Sequence, residues 1–343
     1  MTDDRLPRIA IVVPCYNEEA ALPASVPQML AVLDRLGELG LASATESYVL
    51  LCNDGSRDDT WQVICRLHEA DSRVKGISLA HNRGHQYVLL AGLMTAMDHC
   101  DAAVSIDADM QDDPAAIEEM VRKFRDGCEI VYGVRSSRES DTWFKRTTAH
   151  AFYSFQRVMG LETVYDHADY RLMSNRALHL LSQYGESNLF LRGIIPSIGL
   201  RSSRVTYARA ARVAGESKYP LKKMIALSID GITSFSAKPM RLIFMTGLLL
   251  LVITLGVAVW VLIAYFTHRT ISGWSSLMLS LWFCSGCILI GLGIVGEYVG
   301  KIYIEVKGRP RFNIERVLMH GGQAKGNPEY ESIVSGKDKN EGF

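Results

Sequence analysis

The chain lacks an excess of charge of either sign: 37 lysines and arginines stand against 37 aspartates and glutamates, a formal net charge of zero. Nothing in that balance points to nucleic acid. Residues Met1 to Arg8 are charged and carry no apolar core, so no secretory leader is expected. A Gly-x-Gly-x-x-Gly turn is missing after the first apolar run, which argues against a dinucleotide-binding domain, and no Walker lysine motif occurs. Cysteine is present but odd in number and scattered, at positions 15, 52, 65, 100, 128, 284 and 287. That usage predicts reduced, packed thiols and a cytosolic setting rather than a disulfide framework. Cys284-x-x-Cys287 sits in an apolar run without βαβ context and reads as packing, not as a redox pair.

Charge is also missing from two long stretches. Leu242 to Phe266 is 25 residues without a charge, and Thr270 to Gly296 is 27 more. A helix needs about 20 apolar residues to cross a bilayer. The pattern predicts a two-helix transmembrane hairpin over 240–300, with spans near 242–266 and 272–297. Lys222, Lys223, Lys238 and Arg241 precede the first run, and Lys301, Lys307, Arg309 and Arg311 follow the second, whereas the connecting turn holds only Arg269. Positive charge on both outer flanks predicts a multi-pass protein with both termini cytoplasmic, in the inner membrane of a bacterial host.

What remains is an α/β pattern. Ile9–Pro14, Tyr48–Cys52, Val74–Leu79 and Ala102–Ile106 are short apolar runs, with Glu129–Gly133 a fifth. Each reads as a buried strand. Helical spacing separates them, as at Val26, Met29, Leu30, Leu33 and Leu36. The alternation predicts a Rossmann-like, mostly parallel sheet with flanking helices over 1–219. Ligands of such sheets bind at the carboxyl ends of the strands. Here those ends carry Cys15-Tyr16-Asn17-Glu18-Glu19, Asn53-Asp54-Gly55-Ser56, His81-Asn82-Arg83-Gly84-His85-Gln86 and Asp107-Ala108-Asp109-Met110-Gln111.

The last of these is the most informative. Two carboxylates at i and i+2 repel each other and tolerate closeness best around a cation, and oxygen ligands suit Mg²⁺ or Mn²⁺ completed by water and phosphate. Asp107 and Asp109 are therefore candidate metal ligands, with Gln111 beside them. An isolated Asp-x-Asp is more often a turn former. An EF-hand is excluded, because Asp112 stands where its loop needs glycine. Asp113-Pro114 predicts a helix start, with Asp113 as N-cap. Downstream, Pro220 to Lys238 has apolar residues at helical spacing with lysines nearby, which predicts an amphipathic interfacial helix over 220–239. The polar segment from Gly321 to Phe343, within a cytoplasmic tail at 301–343, predicts disorder.

Taken together, these motifs resemble the family 2 glycosyltransferases of the GT-A fold, and most of all the polyprenyl-phosphate enzymes: bactoprenol glucosyltransferases and dolichol-phosphate mannose synthases. The matching stretches are Val13 to Glu19, Asn53 to Thr60, Asn82 to Gln86, Asp107 to Pro114, Asp169 to Met173 and Gly215 to Tyr219, followed by Gly296-Glu297-Tyr298. Asp166-His167-Ala168 and Asp112-Asp113-Pro114 depart from the usual pattern.

The resemblance implies an inverting hexosyltransferase. It would move a sugar from a nucleotide-sugar, with UDP-glucose first and GDP-mannose or another UDP-sugar behind it, to undecaprenyl or dolichyl phosphate. Pro14, Tyr16, Glu18, Asp54, Asp107 and Arg135 would bind the nucleotide-sugar. Asp107, Asp109 and Gln111 would serve the metal. Asp169, Asp109 and Arg171 would be catalytic, and Arg138, Arg212, Ser217 and Lys218 would take the lipid phosphate. It leaves room for a homo-oligomer and a flippase partner. Rivals are a polysaccharide synthase, whose Gln-x-x-Arg-Trp motif is absent, and a non-catalytic membrane adaptor that binds a nucleotide-sugar. The acceptor's second ionisation lies near pH ~6, so it needs little help from a base. Asp169 is accordingly expected to orient a cation such as Arg171 or Lys218.

Overall fold

The computed structural model describes residues 5–135, 167–186, 189–207, 238–266, 273–319 and 325–326. They fall into two compact units. The first is a mixed α/β, Rossmann-like layer structure. It opens with β1 (Ile9–Cys15), α1 (Leu22–Glu38), β2 (Tyr48–Asn53) and α2 (Thr60–Ala70). It continues with β3 (Val74–Leu79), α3 (His85–Met97), β4 (Ala102–Ser105), α4 (Ala116–Arg125) and β5 (Ile130–Arg135). These bounds follow the hydrophobic runs closely. Every residue of β1, β2 and β4 is buried, as strands covered on both faces require.

Beyond these, the helix that begins at Asn175 was expected from the sequence, and the strands were not. His167–Ser174 is a strand, β6, followed by α5 (Asn175–Ser182), α6 (Leu191–Ser197) and β7 (Ser202–Tyr207). The Ser174 hydroxyl caps α5 by accepting from the Ala177 amide at 3.0 Å. After the long helices the chain returns as β8 (Ile314–Leu318) and β9 (Lys325–Gly326). Two residues of the segment expected to be disordered are thus paired in the sheet, and Pro310 onward belongs to this first unit.

Among the described residues one sheet forms, in the order β7-β5-β6-β4-β1-β2-β3-β8-β9. β4, β1, β2 and β3 are parallel to one another, so their carboxyl ends share one edge. β6 pairs antiparallel with both β4 and β5, and β8 antiparallel with β3. The sheet is therefore mixed rather than mostly parallel. The polar composition of Asp166 to Arg171 hid β6: it carries charge into the sheet, where an apolar run was the expected sign of a strand.

Helix α4 also corrects an expectation. It begins at Ala116, and Asp113 does not occupy its N-cap. Instead the Asp113 carboxylate accepts from the Ala115 amide at 2.9 Å, and a tight turn through Pro114 leads into the helix. Glu118 and Glu119 in its first turn and Arg122, Lys123 and Arg125 in its last complement the helix dipole.

The second unit contributes two long helices, α7 (Lys238–Phe266) and α8 (Trp274–Val306). Among the described residues one segment is long and apolar enough to cross a membrane: Phe283–Val306, with mean hydropathy 1.6 and none of it buried. It overlaps the expected second span at 272–297. The helix carries Glu297 and Lys301 on adjacent turns, 3.9 Å apart, and continues beyond them. The expected first span at 242–266 lies within α7. The expected amphipathic helix at 220–239 lies outside the described residues, save for the residues that open α7.

Helix α3 packs against the sheet closely enough to leave no room for a methyl at Gly92, whose added Cβ would stand 2.4 Å from Cys52 Sγ and 2.5 Å from a Val12 methyl. Both contacts are core atoms. Gly92→Ala is expected to destabilise the protein by about 1–3 kcal/mol through overpacking, whereas Gly185→Ala, with nothing within 4 Å of its added Cβ, is not. Thermal unfolding of the two full-length variants in detergent checks this; equal melting temperatures would contradict the packing.

Candidate active site

Four loops meet at the carboxyl edge of β1, β2, β3 and β4. The first two are tied together by a lattice of short polar bonds. Asn17, in the left-handed region at φ 57°, is held twice: its backbone amide donates to Ser56 Oγ at 3.0 Å, and its Oδ1 accepts from the Arg57 amide at 2.9 Å. The Glu18 amide donates to Thr60 Oγ1 at 2.9 Å, and Thr60 Oγ1 donates to Asp58 at 2.6 Å. Gly55 is required here: at φ 61° a Cβ would come within 2.8 Å of the backbone at His81 and Asn82.

Asp54 is buried and locks the third loop. Its two carboxylate oxygens accept from the amides of Arg83 and Gly84, at 2.7 and 2.8 Å. Burial nevertheless leaves its carboxyl raised above the usual range. Arg83 in turn donates from Nε to the Arg311 carbonyl and from Nη2 to the Pro310 carbonyl, at 3.0 and 2.9 Å. The carboxylate that the resemblance assigns to the nucleoside thus spends both oxygens on loop architecture.

The fourth loop bears the paired aspartates. Met110, at φ 52°, occupies a conformation that a side chain of its kind rarely adopts. The turn exposes Asp109 and buries Gln111. The Gln111 amide donates to Asp109 Oδ1 at 3.2 Å. Asp109 borders a pocket of about 550 Å³, with Glu18, Asp58, Gln111 and the start of α1 among its walls. Asp107 Oδ1 meets His85 Nε2 at 3.1 Å, at the first residue of α3. Burial raises the Glu18 carboxyl, and the carboxylates of Asp109, Asp107 and Asp58 push it further. That crowding is the repulsion a cation would relieve. Asp107 and Asp109 each keep one oxygen without a hydrogen bond among the described residues. No group of three His, Cys, Asp or Glu side chains able to hold a metal occurs among the described residues. The donor set fits a hard divalent ion whose remaining ligands come from water and substrate.

β6 adds the other half of the site. Its register places Arg171 opposite Ser105 of β4, and the Ser105 hydroxyl donates to the Asp169 carbonyl. The Asp169 carboxylate accepts from Arg171 Nη2 at 2.6 Å and from Arg192 Nε and Nη2 at 3.2 and 2.9 Å, and His85 Nδ1 stands 4.0 Å away. Burial alone would raise this carboxyl, but the two guanidinium groups hold it well below the ordinary carboxylate range. Desolvation lowers His85, but the neighbouring carboxylates of Asp107 and Asp169 outweigh it and raise the imidazole above its ordinary value.

The structure brings Tyr16, Glu18, Asp107, Asp109 and Asp169 to one edge and buries Pro14 and Arg171. Pro14 is buried inside β1, paired with Cys52. Tyr16 follows it, exposed, at the strand end. Arg171 is 1% exposed, and its side chain meets the Asp169 carboxylate. Arg135, at the end of β5, donates to Asp112 at 3.3 Å, and the Tyr207 hydroxyl donates to the same oxygen at 2.7 Å. Arg138, Arg212, Ser217 and Lys218 lie outside the described residues. Sequence reasoning missed the roles of His85, Gln86 and Arg192. His85 and Gln86 lay within a quoted motif, but Arg192 was one cation among many, and only the fold distinguishes it.

The family model described as "Glycosyl transferase family 2" matches residues 10–194. The uncharacterized glycosyltransferase YkoT of Bacillus subtilis (strain 168) is 46% identical over 309 residues, 90% of this chain and 91% of that protein. The SfII prophage-derived bactoprenol glucosyl transferase of Shigella flexneri is 36% identical over 313 residues, 90% of this chain and 98% of that protein. The prophage bactoprenol glucosyl transferase homolog of Escherichia coli (strain K12) is 34% identical over 314 residues, 90% of this chain and 99% of that protein.

Because Asp54 holds the amides of Arg83 and Gly84, Asp54→Asn replaces one acceptor by a donor facing an amide. These two amides are expected to exchange at least about tenfold faster, a loss of roughly 1.4 kcal/mol in local protection. Hydrogen exchange read by mass spectrometry over the peptide containing them checks it, with the peptide covering β1 as an internal reference.

Proposed function

Because the chain belongs to glycosyl transferase family 2, as a transferase of its polyprenyl-phosphate subgroup, we propose that it moves one sugar, with inversion, from a nucleotide-sugar to a polyprenyl phosphate at the cytoplasmic face of a membrane. UDP-glucose is the first candidate donor, with GDP-mannose or another UDP-sugar as the alternative. The acceptor is undecaprenyl phosphate in a bacterial host and dolichyl phosphate otherwise. The observation that carries this reading is the pairing of Asp107 and Asp109 with a cation-bracketed Asp169 at one sheet edge. The bactoprenol glucosyl transferases named above support the choice of acceptor, and so does the exposed apolar segment Phe283–Val306.

Asp107 and Asp109 would hold Mg²⁺ or Mn²⁺ against the donor diphosphate. Bound there, such an ion neutralises charge on the departing nucleoside diphosphate. His85 fixes the side chain of Asp107 through its ring nitrogen. The strand-end loops around Tyr16, Glu18 and Asp54 would receive the nucleoside. Asp169 does not remove a proton in this scheme. Its carboxylate is engaged by Arg171 and Arg192, and ionisation is favoured so strongly that it makes a poor base. The acceptor phosphate is already largely dianionic at neutral pH and attacks without one.

Arg138, Arg212, Ser217 and Lys218 are assigned to the acceptor phosphate from the resemblance. The two-span hairpin over 240–300 would anchor the chain, with both termini cytoplasmic. Such an anchor matters because a polyprenyl chain cannot leave the bilayer without exposing a large apolar surface. A homo-oligomer and a flippase partner are compatible with this arrangement.

A panel of nucleotide-sugars offered with a short polyprenyl phosphate and Mg²⁺ or Mn²⁺, scored for glycolipid, tests the proposal. Release of nucleoside diphosphate is expected only with metal and acceptor both present. Binding of a nucleotide-sugar without turnover under every condition would instead mark a non-catalytic adaptor. Replacing both Asp107 and Asp109 by Asn is expected to lower turnover by at least ~10³-fold, in line with loss of a charge-stabilising group.

The pH profile gives a separate check. Asp169 is depressed, so it stays ionised as pH falls through 5, and its contribution disappears only below its folded value. The acid limb of kcat/KM is expected near pH ~6, where the acceptor phosphate gains a proton. Using a phosphorothioate acceptor, which ionises more readily, is expected to move that limb to lower pH. A limb that stays in place would implicate a protein group.

A further inference from the structure

Asp169 is surrounded by more positive charge than it can neutralise. Two permanent cations, Arg171 and Arg192, share its single carboxylate, and His85 stands beside them. The three groups differ in what else they can reach. Arg171 is buried beneath the carboxylate and has no path to solvent. His85 is already bonded to Asp107. Arg192 is different: its side chain is 42% exposed. Its Nε and Nη2 lie along Asp169, and its Nη1 makes no hydrogen bond among the described residues. A guanidinium held side-on by one carboxylate keeps its remaining N–H groups in a fixed direction, ready for a second oxyanion.

The backbone carrying Arg192 is held as well. The Leu191 amide, at the first residue of α6, donates to Gln86 Oε1 at 2.9 Å, and Gln86 adjoins His85. The same short stretch at the start of α3 therefore grips Asp107 through His85 and the segment bearing Arg192 through Gln86. The Asp169 main chain is pinned by Ser105, two residues before Asp107.

We propose that Arg192 binds a phosphate group of the substrates, and that Asp169, itself held by Arg171, is the positioning residue that aims it. This deepens the function proposed above and rests on it only for the identity of the substrates. The ligand chemistry is a phosphate oxyanion next to the Asp107 side of the site. It belongs either to the diphosphate of the nucleotide donor or to the monophosphate of the lipid acceptor. Asp169 thus serves the reaction through a cation rather than through a proton.

The test uses the full chain in detergent and the variants Arg192→Gln and Arg192→Lys. Calorimetry measures binding of UDP and of uridine, each with Mn²⁺, and steady-state kinetics give KM for a short polyprenyl phosphate. If the donor diphosphate is the ligand, Arg192→Gln weakens UDP at least about tenfold and leaves uridine within about twofold, as expected for a lost charge-assisted hydrogen bond. If the acceptor phosphate is the ligand, KM for the lipid rises by the same factor while UDP is unchanged. Either result supports the proposal. UDP affinity and acceptor KM both within about twofold of the parent would overturn it. Should Arg192→Gln fail to fold, Arg192→Lys keeps the charge, loses the fork and is read in the same way.

The positioning role has its own readout. Asp169→Asn is expected to reproduce the binding defect of Arg192→Gln, and the double variant to be no worse than either single one. Additive losses would overturn the positioning role. Should the parent make no glycolipid from any donor, the acceptor measurement is taken as direct binding of polyprenyl phosphate, so failure of the proposed reaction and failure of Arg192 are told apart.

Discussion

Carboxylates cannot be gathered at one edge of a sheet unless each has a separate means of bearing its charge. The parallel register of β4, β1, β2 and β3 forces Glu18, Asp54, Asp107 and Asp109 together, and β6 adds Asp169. Each is handled differently. Asp54 takes two backbone amides, Asp169 takes two guanidinium groups, and Asp107 takes one imidazole nitrogen. Glu18 is left partly uncompensated and its ionisation is suppressed, first by burial and then by its neighbours. Asp109 is the exposed member, with one free oxygen among the described residues. The negative potential that remains is concentrated where a cation and a diphosphate would enter together.

This division of labour explains why residues that look equivalent in the sequence are not equivalent in the fold. Asp54 and Asp109 are both strand-end aspartates. One is bonded to the amides of a neighbouring loop; the other faces solvent beside a pocket. Arg171 and Arg192 both contact Asp169. One is sealed under the sheet surface, and a buried guanidinium is stable there only because the carboxylate is at hand. The other keeps part of its donor set directed outward.

Much of the first unit was legible because apolar runs of strand length alternated with amphipathic segments, and short polar loops marked the strand ends. Bounds at β1, β2, β3 and α1 agree with the hydrophobic pattern to within a residue or two. β6 was not legible, since Asp169 and Arg171 neutralise each other inside the sheet, and pairing of that kind leaves no apolar signature. Arg192 was hidden for a related reason: nothing local in Phe190-Leu191-Arg192-Gly193 tells an arginine that crosses to β6 from one that points to water. The paired aspartates were visible from spacing and composition, but the bond from Asp107 to His85 joins loops 22 positions apart and depends on the register of the sheet. Past the uncharged run, Glu297 and Lys301 face each other one helical turn apart and the helix continues, as their place at its flank suggested.

The return of the chain after its last long helix has a practical bearing. β8 covers the outer rim of β3 through an antiparallel ladder, and the carbonyls of Pro310 and Arg311 hold the Arg83 side chain. A protein shortened to end at Val306 would leave that rim as a row of bare amides and carbonyls, which recruits foreign strands and promotes clumping. Such a fragment would also release the Arg83 side chain, so that its loop loses one of its two tethers and keeps the hold of Asp54. Expression trials that trim the carboxyl terminus to gain solubility would therefore lose it, and a purification handle is better appended beyond β9 than substituted for it.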